Sequence, residues 1–163
     1  MIWIDFAIIG LISVFLIMGL FRGFNKEIFS LGFWLLAVGV GLSFSRDLSG
    51  FLASAISSPA ARIAASFVIL FVITLILGSL ICVLLGALVK KTGLTFSDRI
   101  GGLIFGVARG MVVVTVIVVL AGFTSLPKDT WWTESKLIPP FQLLAVWLRD
   151  HIPSGMAEFV NYR

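Results

Sequence analysis

Four apolar runs, Ile2–Phe21, Ile28–Phe44, Ile63–Val89 and Ile100–Leu126, stand between short charged connections. A hydrocarbon core about 30 Å thick takes roughly 20 helical residues to cross, with a range of about 17 to 25. The first run fits that length and the second fits narrowly. The third and fourth exceed it, so each must tilt or push its ends into the headgroups. In lipid every backbone N–H and C=O needs an internal partner, which leaves helices or closed barrels. None of the runs alternates with period two, as a barrel strand would. The expected fold is therefore all-α: a polytopic membrane protein with four transmembrane helices and an amphipathic C-terminal segment. Residues 1–126 read as one transmembrane domain with spans near 2–21, 28–44, 63–89 and 100–126. Residues 127–163 read as an interfacial tail.

Composition supports the membrane reading. The chain of 163 residues is 60% hydrophobic and 12% charged, where a soluble domain carries about a quarter charged residues. The first run carries Asp5 and no basic n-region, and it is too long for a signal-peptide core, so it is expected to remain as a helix. The net charge of +4 comes from residues flanking the runs, without the basic stripe that nucleic-acid binding requires. Cys82 is the single cysteine and His151 the single histidine. An internal disulfide and a histidine-based metal cluster are thereby excluded. No cofactor is expected.

Arg and Lys in short loops are retained on the cytoplasmic side. Arg22 and Lys26 join runs one and two, and Lys90, Lys91 and Arg99 join runs three and four. On the opposite side Arg46, Arg62, Lys128 and Lys136 are spread over longer segments. Both termini are therefore expected on the non-cytoplasmic side. The 45–62 segment, rich in Ser and Ala, reads as an exposed connection with room for a short interfacial helix. In the tail Phe141, Leu144, Ala145, Leu148 and Ile152 recur at helical spacing, widened by Leu143, Val146 and Trp147. A segment that short cannot span, and it is expected on the membrane surface or against the bundle. Trp131, Trp132 and Trp147 suit the headgroup zone.

Small residues let helices approach closely where lipid supplies little hydrophobic drive. The fourth run carries Gly102, Gly106 and Gly110; the third carries Gly78, Cys82 and Gly86 at the same spacing. Folding these runs as an antiparallel hairpin would set Gly86 near Gly102, Cys82 near Gly106 and Gly78 near Gly110.

Arg109 interrupts the glycine-bearing run. At the bilayer centre an arginine costs roughly 2.5–3.5 kcal/mol, and each Leu, Ile, Phe or Val returns about 0.3–0.6. The run is rich enough to insert regardless. One reading lets Arg109 snorkel to the nearby cytoplasmic face. The other notes that Gly19-Leu20-Phe21-Arg22-Gly23 and Gly106-Val107-Ala108-Arg109-Gly110 share a GxxRG pattern, with Glu27, Asp98 and Arg99 on the same side. A cluster of Arg22, Glu27, Asp98, Arg99 and Arg109 would then place paired charges at membrane depth.

At these residues the chain resembles the colicin V production protein family. The likeness is densest at Trp3-Ile4-Asp5, at Arg22-Gly23-Phe24 with Glu27, and at Gly93-Leu94, Asp98-Arg99, Gly102, Phe105-Gly106 and Arg109-Gly110. Leu137-Ile138-Pro139 follows the pattern too, and beyond Pro153 it stops. The resemblance implies a bacterial inner-membrane protein needed for production of the peptide toxin colicin V, with an envelope role where no toxin plasmid exists. It carries no catalytic residue set. The leading expectation is a non-enzymatic protein acting through envelope partners or self-association, in contact with membrane lipid. The alternative is a subunit of an oligomeric transporter or channel, although beyond Asp5 at the start of the first run Arg109 and a few Ser and Thr are the polar groups the spans offer. An intramembrane protease would need a Ser–His pair or two aspartates at depth, and the spans have neither.

Overall fold

The computed structural model describes residues 2–88 and 95–151. It is all-α: α1 (Trp3–Arg22), α2 (Phe24–Phe51), α3 (Pro59–Leu88), α4 (Phe96–Gly122), a 3-10 turn (Leu126–Lys128), α5 (Thr130–Thr133) and α6 (Ile138–His151). There is no strand among the described residues. The four long helices, α1 to α4, are each apolar and long enough to cross a membrane.

Local chemistry sets the helix ends. Asp5 accepts a hydrogen bond from the Ile2 N–H at 2.9 Å and so opens α1. Gly23 closes α1 and opens α2 at φ 79°, a backbone region that side chains strain to enter. One residue thus separates two spans. Pro59 begins α3, where its missing N–H costs nothing. Thr95 caps α4 in a reciprocal box with Asp98: the Asp98 N–H donates to Thr95 Oγ1 at 3.3 Å, and the Thr95 N–H donates to Asp98 Oδ2 at 3.1 Å.

Several boundaries differ from the sequence reading; α2, α3 and α4 each begin about one turn earlier, at Phe24, Pro59 and Phe96. α2 continues to Phe51 through residues expected in the connection. Serine ordinarily favours turns, but the Ser49 hydroxyl donates back to the Arg46 carbonyl at 2.6 Å and leaves the helix intact. Its 28 residues come to about 42 Å at 1.5 Å per residue, so α2 overshoots the hydrocarbon. α4 stops at Gly122 rather than reaching Leu126. α6 starts at Ile138, with both prolines in its first turn, where they are tolerated.

The helices pack as a row in the order α1, α4, α2, α3, with α6 against α4. Each neighbouring pair in the α1–α4 and α2–α3 couples is antiparallel. α4 lies inside the row and is the most buried span. Its valines Val114, Val116, Val118 and Val119 form the core with Ile8, Leu42, Phe67, Ile138, Phe141 and Ala145. The Gly23 turn and the start of α4 mark one end of the row. The start of α1 and the tail mark the other.

The expected α3–α4 hairpin does not form, because α2 lies between the two. The glycine ridge of α4 meets α1 instead. Gly19 and Gly102 stand so close that a Cβ on either would collide with the other's carbonyl oxygen. A Cβ on Gly106 would lie 2.5 Å from the Phe15 carbonyl oxygen, and one on Gly110 would lie 3.2 Å from Ile12 Cα. Gly78 does serve packing, but as a notch for Phe33 of α2, whose ring would come within 2.6 Å of a Cβ there. Gly86 faces open space, and Cys82 is a half-buried free thiol. The physical reason is mutual fit. The α4 ridge meets Gly19 and the backbone of Phe15 and Ile12 on α1, whereas α2 offers the Phe33 ring to the notch on α3.

Candidate functional site

Arg109 stands midway along α4, and its guanidinium turns into the protein rather than toward solvent. The side chain is 2% exposed and that of Glu27 is 0% exposed. Arg109 Nη1 lies 2.7 Å from Glu27 Oε1 and donates a hydrogen bond to Ser30 Oγ at 2.7 Å. The aligned N–H···O bond goes to the serine, so the carboxylate is held by charge and proximity. From the other side Phe15 of α1 presents its ring to the guanidinium carbon, 4.8 Å from the centroid. Three helices therefore converge on one cation.

The sequence explains the placement. Glu27 and Ser30 are three residues apart in the first two turns of α2, so they share a face. Helical side chains point back toward the N-terminus, which carries the long Arg109 stem toward the level of α2's first turns. The Gly102–Gly19 and Gly106–Phe15 contacts draw α1 in until Phe15 reaches the guanidinium. Burying both charges costs several kcal/mol per ion, and their attraction recovers it only when the geometry is good. Glu27 Oε2 and Arg109 Nε remain buried without a hydrogen-bond partner. The pair thus ties α2 to α4 directionally while keeping one acceptor and one donor open.

Of the five charged residues singled out in the sequence, the structure brings together Arg109 and Glu27. Arg22 lies within electrostatic reach of Arg109 but is exposed. Asp98 is spent on the α4 cap, and Arg99 is exposed one turn below the glycine ridge. The reason is height: Asp98 and Arg99 sit in the first turn of α4, roughly three turns from Arg109. Lys90 and Lys91 lie outside the described residues. Ser30 and Phe15 were not anticipated. Glu27's spacing to Ser30 could have indicated the first; nothing in the sequence marks the second.

A second polar site was also missed. Asp5 is wholly buried and its Oδ1 accepts the Ser135 hydroxyl at 2.6 Å and the Leu137 N–H at 3.1 Å. Ser135 Oγ in turn accepts the Ile138 N–H at 3.2 Å, opening α6. Trp3 packs on Trp131 beside this knot, with ring centroids 5.6 Å apart. α6 then buries Ile138, Phe141 and Ala145, while Leu143, Leu144 and Trp147 stay exposed. Leu144, expected on the packed stripe, points away from it. Among the described residues no group of His, Cys, Asp and Glu could hold a metal ion.

Comparison with known proteins gives the family. The family described as colicin V production protein matches residues 4–146. The Haemophilus influenzae colicin V production protein homolog is 39% identical over 153 residues, covering 93% of each chain. The Escherichia coli colicin V production protein is 36% identical over 156 residues, covering 95% of this chain and 96% of that one. No solved structure matches. The match runs from the residue before Asp5, through Glu27 and Arg109, to the turn of α6 after Ala145, and the chain belongs to the colicin V production protein family.

Proposed function

We propose that this chain is an inner-membrane protein with both termini in the periplasm, supporting colicin V production at the step of toxin export and contributing to envelope homeostasis. It acts without catalysis, through protein partners or self-association. The family name supports the toxin role, being that of a production protein rather than an enzyme. The concentration of Arg22, Lys26, Lys90, Lys91 and Arg99 in two short connections supports the orientation.

The observation that carries the reading is the buried Arg109–Glu27–Ser30 tie. Apolar residues of similar volume would hold two helices together at lower cost. An ionic group at membrane depth is by default a functional one. The test is colicin V release from plasmid-bearing cells that lack their own homologue. Wild type should restore release and Arg109→Lys should not, at equal membrane abundance; full release by the lysine variant would overturn the reading. The open acceptor on Glu27 and open donor on Arg109 favour one second reading, a subunit of an oligomeric transporter or channel. Solute or ion flux through liposomes carrying the purified chain, lost on Glu27→Gln, separates it from the first.

A further inference from the structure

We propose that Arg22, Lys26 and Arg99 form a docking surface for the headgroup of an anionic phospholipid. Three helix ends converge here. A Cβ on Gly102 would stand 3.1 Å from the Gly23 carbonyl carbon, and one on Gly101 would stand 2.5 Å from the Phe24 ring. Phe24 and Phe105 meet edge to face at 5.2 Å. These contacts fix the last residue of α1, the first turn of α2 and the first two turns of α4 beside one another. Arg22, Lys26 and Arg99 project from those three positions, all exposed.

The acids of this end are already occupied. Glu27 is buried against Arg109. Asp98 Oδ2 takes the Thr95 N–H at 3.1 Å and the Thr95 hydroxyl at 2.6 Å. No ion pair involves Arg22, Lys26 or Arg99 among the described residues, so their charge is left for an outside group. That group must be apolar at its other end. Phe21 is 74% exposed and Phe96 78% exposed beside the cations. From Phe96 the exposed face of α4 continues through Ile100 and Ile104, four residues apart. Arg99 borders this stripe. A phosphodiester above an acyl chain fits both parts, whereas a free anion or a nucleic acid would leave the apolar stripe unused. Basic residues between helix ends recruit acidic headgroups on this principle.

The experiment uses the purified full chain in neutral detergent, titrated with phosphatidylglycerol or phosphatidylcholine of matched acyl chains and read by native mass spectrometry. It needs no assumption about orientation or about toxin export. Phosphatidylglycerol should bind more tightly. Arg22→Gln, Lys26→Gln and Arg99→Gln should each reduce that preference about fivefold, and Arg99→Lys should largely keep it. Arg46→Gln, at the opposite end, should leave it unchanged. Equal binding of the two lipids by wild type would overturn the proposal without any variant. So would an Arg46→Gln loss as large as that of Arg99→Gln, because the charge would then act diffusely.

Discussion

Asp5 and Ser135 are 130 residues apart and share a hydrogen bond of 2.6 Å in the protein interior. The carboxylate is used three times: Oδ2 starts α1 through the Ile2 N–H, while Oδ1 holds the Ser135 hydroxyl and the Leu137 N–H. One side chain therefore joins the first span to the tail and sets where α6 begins.

Asp5→Ala should release the tail from the bundle. It strands buried donors, each costing about 1–3 kcal/mol. Hydrogen exchange at the Leu137 amide should accelerate, and protease should reach the 123–137 segment. Asp5→Asn keeps one acceptor and should fall between. A double-mutant cycle of Asp5→Asn with Ser135→Ala should show a coupling of about 0.5–3 kcal/mol. Additive effects would separate the two residues energetically.

The α1–α4 contact can be tested against α3. Gly106→Leu places a side chain on the Phe15 carbonyl and should lower folded yield in detergent, at about 1–3 kcal/mol or more. Gly86→Leu faces open space and should be tolerated. Were α4 zipped to α3, both substitutions would be damaging. Normal yield from Gly106→Leu would contradict the α1–α4 packing.

These pairs show what the sequence could and could not reveal. Run length against bilayer thickness made all four spans legible, and the glycine ridge of α4 was legible as a packing face. Its partner was not. Spacing of four marks a smooth face equally on α3 and α4, and only Gly19, nine residues from the nearest glycine before it, decides the pairing. Glu27 was legible as a partner for Arg109 because buried charges need counter-charges. Asp98 was an equal candidate until the Thr95 cap consumed it. Asp5 with Ser135 was invisible, since neither residue sits in a periodic pattern and the contact exists only after the whole row has formed.

Orientation is checked by labelling. With Cys82 replaced by serine, a cysteine at position 57, between α2 and α3, should react with an impermeant thiol reagent in spheroplasts. A cysteine at position 25, beside Gly23, should react only after lysis. The reverse pattern would invert the topology and place Arg22, Lys26 and Arg99 in the outer leaflet.

Arg109 poses the sharpest test because lysine keeps its charge and loses its shape. The guanidinium reaches Glu27 and Ser30 together and lies against Phe15. Nη1 makes both polar contacts while the guanidinium carbon one bond back lies against the ring, and a shorter, compact ammonium cannot keep all three. Arg109→Lys should insert normally yet lose colicin V release. Arg109→Ala strands the Glu27 charge, a loss of about 3–5 kcal/mol for a buried pair, and should reduce membrane abundance as well. Glu27→Gln combined with Arg109→Met removes both charges and should restore abundance toward wild type, since no unpaired charge remains buried. Release would still be absent if the pair is required for function. Release recovered along with abundance would mean that the pair served folding alone.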